Sequence, residues 1–186
     1  AAEDSVAEFQ DAITATAVVL DDNTGDATIE INATNGTQTI AGTFNGAAAG
    51  EGTMLVTDDD AGAAPDALTF SGAIGGTAGL KAITVGSATE GGSAIFTSAN
   101  PVVATTISVL GGDNGSEDSF AVFQDAITAT TVVLNDSTGD ATLTVNTANG
   151  AQAIAGTFDG GTSGEGTLNV IDGDAGAVAQ AATFSG

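Results

Sequence analysis

The stretches DDNTGD (21–26) and NDSTGD (135–140) place carboxylates four residues apart in a Gly-containing turn, Asp22 with Asp26 and Asp136 with Asp140. Two further stretches, TDDDAGA (57–63) and IDGDAGA (171–177), set Asp58 with Asp60 and Asp172 with Asp174. Carboxylates at such spacings can converge on Ca²⁺, a hard ion that takes six to eight oxygen ligands. Neither stretch fits the EF-hand loop or the nonapeptide Ca²⁺-binding repeat. Asp and Asn also build turns by accepting hydrogen bonds from their own backbone. The eight aspartates are therefore candidate Ca²⁺ ligands on one reading and turn formers on the other. Ca²⁺ is the only cofactor suggested, and none is required.

Other chemistry is sparsely supplied. The chain has no His, no Cys and one basic residue, Lys81. Nucleophilic triads and zinc sites are thereby excluded. Paired carboxylates could hydrolyse glycosides, but the aromatics are eight Phe with no Tyr or Trp to form a sugar platform. No enzymatic site is expected. Lys81 could close an isopeptide bond with an Asn or Asp, or could simply carry its ammonium outward from the start of a strand.

The 24 acids give a net charge of −23. Electrostatic binding to nucleic acid, which needs clustered Lys and Arg, is excluded. Unaided binding to an anionic membrane is disfavoured, and no apolar run reaches the roughly 20 residues of a membrane span. Such a surface resists aggregation and, on the sharper reading, recruits divalent cations.

The elements that hold these turns follow from a repeat. Ala1–Gly72 aligns with Gly115–Gly186 without a gap, at an offset of 114 residues and with 46 identities in 72 positions. The chain thus divides into residues 1–72, a β-rich connector at 73–114 that continues the same architecture, and the second copy at 115–186. A shorter period lies inside: Phe44, Phe70, Phe96 and Phe123 stand 26 or 27 residues apart, Phe158 follows after 35, and Phe184 after 26. The apolar positions Ile31, Val56, Val85, Leu110, Val145 and Val170 give a similar unit. Within it, ATLTVNT (141–147) alternates Leu143 and Val145 with polar residues, the period of a half-buried strand. Clusters such as NATNGT and GSATEGGS read as turns. FQDAITATAVVL could open as a helix, but Thr and Val in its second half favour a strand.

These spacings predict an all-β fold, a β-solenoid with coils of about 25–29 residues, whose stacked coils bury a core that one coil cannot bury alone. Phe44, Phe70, Phe96, Phe158 and Phe184 are expected to line one internal stack. The rival architecture is a pair of tandem immunoglobulin-like β-sandwiches, since 114 residues also suits that domain.

TIAGTFNGAAAGEGTMLV followed by LTFSGAIGGTAGLKAITV resembles the β-strand-repeat surface proteins of bacteria, the autotransporter-passenger and filamentous-haemagglutinin-like adhesins. That resemblance covers roughly Gln38–Val85 and Gln152–Gly186. It implies an exported right-handed β-solenoid (β-helix) at the cell surface or secreted from it, acting as a structural segment of a fibre, stalk or surface layer. An adhesin shaft that binds glycans or neighbouring cells is the alternative, and a polysaccharide-active β-helix enzyme a distant third. The expected partners are copies of the chain end to end, or more of the same chain, and cell-surface or matrix polysaccharide. Nucleic acid and direct membrane insertion are not expected. The second copy closes at TFSG, where the first runs on into AIGGTAGLKAITV, so the repeat is expected to continue.

Overall fold

The computed structural model describes residues 3–23, 25–59, 65–161, 163–173 and 179–186. Fifteen strands follow one another: β1 (Ser5–Phe9), β2 (Thr14–Leu20), β3 (Ala27–Asn32), β4 (Gln38–Gly46), β5 (Glu51–Thr57), β6 (Ala67–Phe70), β7 (Leu80–Val85), β8 (Gly92–Phe96), β9 (Val102–Leu110), β10 (Ser119–Phe123), β11 (Ile127–Asn135), β12 (Ala141–Asn146), β13 (Gln152–Asp159), β14 (Thr167–Ile171) and β15 (Ala182–Ser185). A single 3₁₀ turn, Thr147–Asn149, interrupts them.

Odd-numbered strands form one eight-stranded sheet in the order β1-β3-β5-β7-β9-β11-β13-β15, and even-numbered strands form a seven-stranded sheet from β2 to β14. Each pairing is parallel. Each coil therefore gives one strand to each sheet, and the sheets run unbroken through both copies and the connector, which supplies β7, β8 and β9. The protein is a β-solenoid. Tandem sandwiches are ruled out, because they would need antiparallel sheets closed within each repeat unit.

Parallel pairing in register turns the sequence alternation into files of identical rungs. On the odd sheet Ile29, Met54, Ile83, Ile107 and Val132 follow one another inward, all at most 2% exposed. On the even sheet Leu68, Ala94, Ala121 and Leu143 do the same. Coil length varies more than the sequence spacing predicts. The step from Ser5 to its partner Ala27 is shorter than any expected coil, and the step from Gln38 to Leu68 is longer. The loops absorb the difference, because the hydrogen-bonded registers cannot.

The long repeat spans nine strands, from β4 to β13 or from β6 to β15. Nine is odd, so equivalent strands of the two copies fall on opposite sheets, and the second copy is turned by half a coil. This corrects the single Phe stack. Phe70, Phe96 and Phe123 pair rung to rung on the even sheet, with ring centroids 5.1 and 4.7 Å apart and nearly parallel planes. Phe44 meets Phe70 edge-on at 6.1 Å. Phe158 and Phe184 contact each other on the odd sheet instead, at 5.7 Å. The long step from Phe123 to Phe158 is one and a half coils, not one extended coil. For the same reason Val145 and Val170 leave the series begun by Ile31, and the residue in register with Val85 is Val109, not Leu110.

A bulge recurs in both copies. Ala15 and Thr16 of β2 sit opposite Gly42 alone, and Ala129 and Thr130 of β11 opposite Gly156. The two glycines have φ of 129° and 142°. A Cβ on Gly42 would lie 2.3 Å from the carbonyl oxygen of Ala15. This explains why IAGTF is written with Gly in both places.

Candidate functional site

The acidic turns hold the coils together through their carboxylates. Asp22 accepts the amide N–H of Ala27 at 2.7 Å with Oδ1 and that of Gly52, one coil further on, at 3.0 Å with Oδ2. Asp136 repeats both contacts, with Ala141 at 2.7 Å and Gly166 at 2.9 Å. A single side chain thereby fixes its own turn and staples it to the next coil. Asp58 accepts the N–H of Asp66, and Asp172 that of Gln180, closing the equivalent loop in each copy. The Asp26 and Asp140 amides donate to Asp4 and Asp118 of the preceding turn. Asp60 and Asp174 lie outside the described residues.

The turn-forming reading thus has a specific carboxylate bond for Asp22, Asp58, Asp136 and Asp172, and these bonds recur in both copies although the copies occupy opposite sheets, whereas Asp26 and Asp140 join the turns through their backbone amides. Among the described residues no group of three or more acidic side chains is placed to hold a metal ion. Asp136→Ala removes the acceptor of two backbone donors and is expected to cost about 2 kcal/mol, the range of hydrogen bonds to a charged group. Urea titration of the variant reads this directly. If turn formation is the whole role of these residues, NaCl and CaCl₂ raise the melting temperature equally at matched ionic strength, by screening; a rise specific to Ca²⁺ would assign a metal.

Lys81 pairs with Asp26, Nζ to Oδ1 at 2.6 Å, and both side chains are about half exposed. The hydrogen bond to Asp26, with the charges of Asp26, Asp22 and Asp4 behind it, raises the Lys81 pKa against a lowering by burial. An exposed pair of this kind contributes little to stability.

A second acidic group escaped the sequence reading. Glu30 on β3, Asp59 after β5, Glu90 after β7 and Glu117 before β10 climb one corner of the solenoid. Burial first, then the charges of Asp59 and Glu30, a hydrogen bond with Asp59 and the charge of Glu117 push the Glu90 carboxyl above the usual range. The signal was present as acids recurring at roughly the coil spacing, but no local motif marks them. Ionised Glu90 opposes folding. Its raised folded pKa means the folded chain takes up this proton first as pH falls, so stability grows as pH falls through the window between the two pKa values, is lost as pH rises back through it, and stays level above it. Glu90→Gln is expected to raise the melting temperature slightly at pH 7 and to leave it unchanged once pH has fallen below the ordinary carboxylate range.

The fold defines a β-solenoid repeat protein, in which Asp22 and Asp136 each bridge two successive coils. No protein-family model, no curated protein and no solved structure matches the chain.

Proposed function

We propose that the chain is a structural segment of an extracellular fibre, stalk or surface layer, a stiff spacer without catalytic chemistry. The observation that carries this reading is the core itself: the file Ile29, Met54, Ile83, Ile107 and Val132 runs in register from the first copy through the connector into the second with an apolar residue at every rung. The eight-stranded sheet alone spans about 34 Å at the strand spacing of a parallel ladder. The acidic surface supports the same reading, since like charge keeps neighbouring rods apart. An exported setting rests on the resemblance of the repeats to bacterial surface proteins. Among the described residues Phe120 is a lone exposed aromatic on a sheet face, while Phe9 and Phe184 lie on the end strands; no aromatic platform for sugars is formed.

Small-angle scattering is expected to report an elongated particle with a constant cross-section, and incubation with neutral and acidic polysaccharides to release no new reducing or unsaturated ends. Release of such ends would overturn the spacer reading in favour of an enzyme.

A further inference from the structure

Asn stands directly before Gly at four places, Asn35–Gly36, Asn45–Gly46, Asn114–Gly115 and Asn149–Gly150. Such a pair carries its own chemistry, because a glycine lets its backbone nitrogen approach the preceding carboxamide with no side chain in the way. The nitrogen attacks Cγ, its proton passes to Nδ2, ammonia leaves, and a succinimide ring closes. Water then opens the ring at either carbonyl. Asparagine and water thus become ammonia and an aspartate, or ammonia and an isoaspartate whose main chain runs through the former side chain. We propose that Asn114 is a site of this spontaneous modification in the folded protein, and that the fold shields the other three pairs.

Attack needs a glycine N–H that is not already engaged and a carboxamide able to turn. Gly36 donates its N–H to the Ala33 carbonyl at 2.8 Å, Gly46 to Ala78 at 3.1 Å and Gly150 to Thr147 at 2.9 Å. Their asparagines are tied to a neighbouring coil as well. Asn35 Nδ2 donates to the Gln10 carbonyl at 2.8 Å, Asn149 Nδ2 donates to the Gln124 carbonyl at 2.9 Å, and Asn45 Oδ1 accepts the Thr77 N–H at 3.0 Å. Asn114 has neither restraint. Among the described residues the Gly115 N–H and Asn114 Nδ2 have no hydrogen-bond partner, and a Cβ added to Gly115 would meet nothing within 4 Å. Asn114 Oδ1 accepts the N–H of Ser116 at 3.0 Å, a bond that polarises the carboxamide towards attack. Residues 113–116 are exposed and form the tip of the turn between β9 and β10. The base of that turn is closed independently, by the Gly112 N–H on the Glu117 carbonyl at 2.8 Å and by the Thr138 and Gly139 N–H groups on the Gly112 carbonyl at 3.1 and 3.0 Å. Ring closure at the tip therefore disturbs only the local bond from the Glu117 N–H to the Asn114 carbonyl, at 3.1 Å, and leaves the sheets intact. The product adds a carboxylate beside Asp113, Glu117 and Asp118.

The folded chain, held at mildly alkaline pH and mapped by peptide mass spectrometry over time, is expected to convert Asn114 first, into a mixture of isoaspartate and aspartate. Asn35, Asn45 and Asn149 are expected to lag by more than about tenfold, because their reaction waits on local opening of the hydrogen bonds that hold them. In urea the four pairs are expected to converge on similar rates, since the fold alone distinguishes them. Gly115→Ala gives a folded control: the added methyl touches nothing, yet it hinders the attacking nitrogen and is expected to slow conversion at Asn114 by more than about tenfold. Conversion of Asn35, Asn45 or Asn149 as fast as Asn114 in the folded chain would overturn the proposal. A preference for Asn114 that persists in urea also overturns it, by placing the cause in the flanking residues. So does a Gly115→Ala variant that converts at the original rate, because the acid would then form without the ring. None of these readings depends on the shape of the particle or on polysaccharide cleavage, so the spacer reading is tested separately.

Discussion

Gly86→Ala is expected to cost about 4 kcal/mol, from a left-handed backbone forced on a residue with a side chain and from overpacking at a closed corner. Gly86 has φ of 80°. A Cβ there would lie 2.1 Å from the carbonyl oxygen of Leu110 and 2.1 Å from Ser119 Oγ. Neither neighbour is free to retreat. The Ser119 hydroxyl donates to that same Leu110 carbonyl and accepts the N–H of Gly92 at 3.1 Å, while the Gly86 N–H donates to Val56 at 2.8 Å. The corner thus ties β5, β7, β9 and β10 together, and displacing it disturbs both sheets. A denaturant midpoint shifted down at unchanged slope would match this expectation. Gly115→Ala is the control: nothing lies within 4 Å of its added Cβ, and it is expected to change stability by less than about 0.5 kcal/mol. Equal effects from the two variants would refute the packing account.

Phe96→Ala is expected to destabilise by about 3–5 kcal/mol, the range for truncating a buried aromatic. Phe96 is 2% exposed and lies between Phe70 and Phe123, stacked on both. Its loss leaves a cavity in the middle of a file, where the rungs on either side are held by their own strand hydrogen bonds and cannot close the gap. Offset stacking adds to the area term. Phe120, on an outward position of the neighbouring strand and 36% exposed, serves as comparison: Phe120→Ala is expected to be nearly silent. Since a domain of this size is stable by only about 5–15 kcal/mol, either large substitution would remove a substantial share of the total.

The two sites also show how far the residues could be read unaided. Strand character, the inward positions and the turns were all legible, because side-chain alternation and Gly- and Asp-rich breaks are local signals. The alternation in ATLTV marks Leu143 and Val145 as core in whichever sheet the strand lies. The unit of roughly a coil was visible in the spacing of Phe70, Phe96 and Phe123, which are true register partners.

The acidic turns were legible as turns but not as staples. Asp22 and Gly52 belong to successive coils, and only stacking brings the carboxylate to that amide. The Glu90 corner was missed for the same reason, since its neighbours Asp59, Glu30 and Glu117 each come from a different coil.

By itself the sequence determined the class of fold, the long repeat and, where alternation is regular as in ATLTVNT, the face a strand turns inward. The tertiary structure alone decided which sheet each strand joins, and with it that Phe158 and Phe184 leave the Phe70 file. The physical reason is that a buried rung looks the same on either sheet. Local pattern carries no label of side, and the side is set only by counting strands from neighbour to neighbour along the hydrogen-bonded ladder. Nine strands per long repeat make that count odd, which turns the second copy to the opposite side of the solenoid.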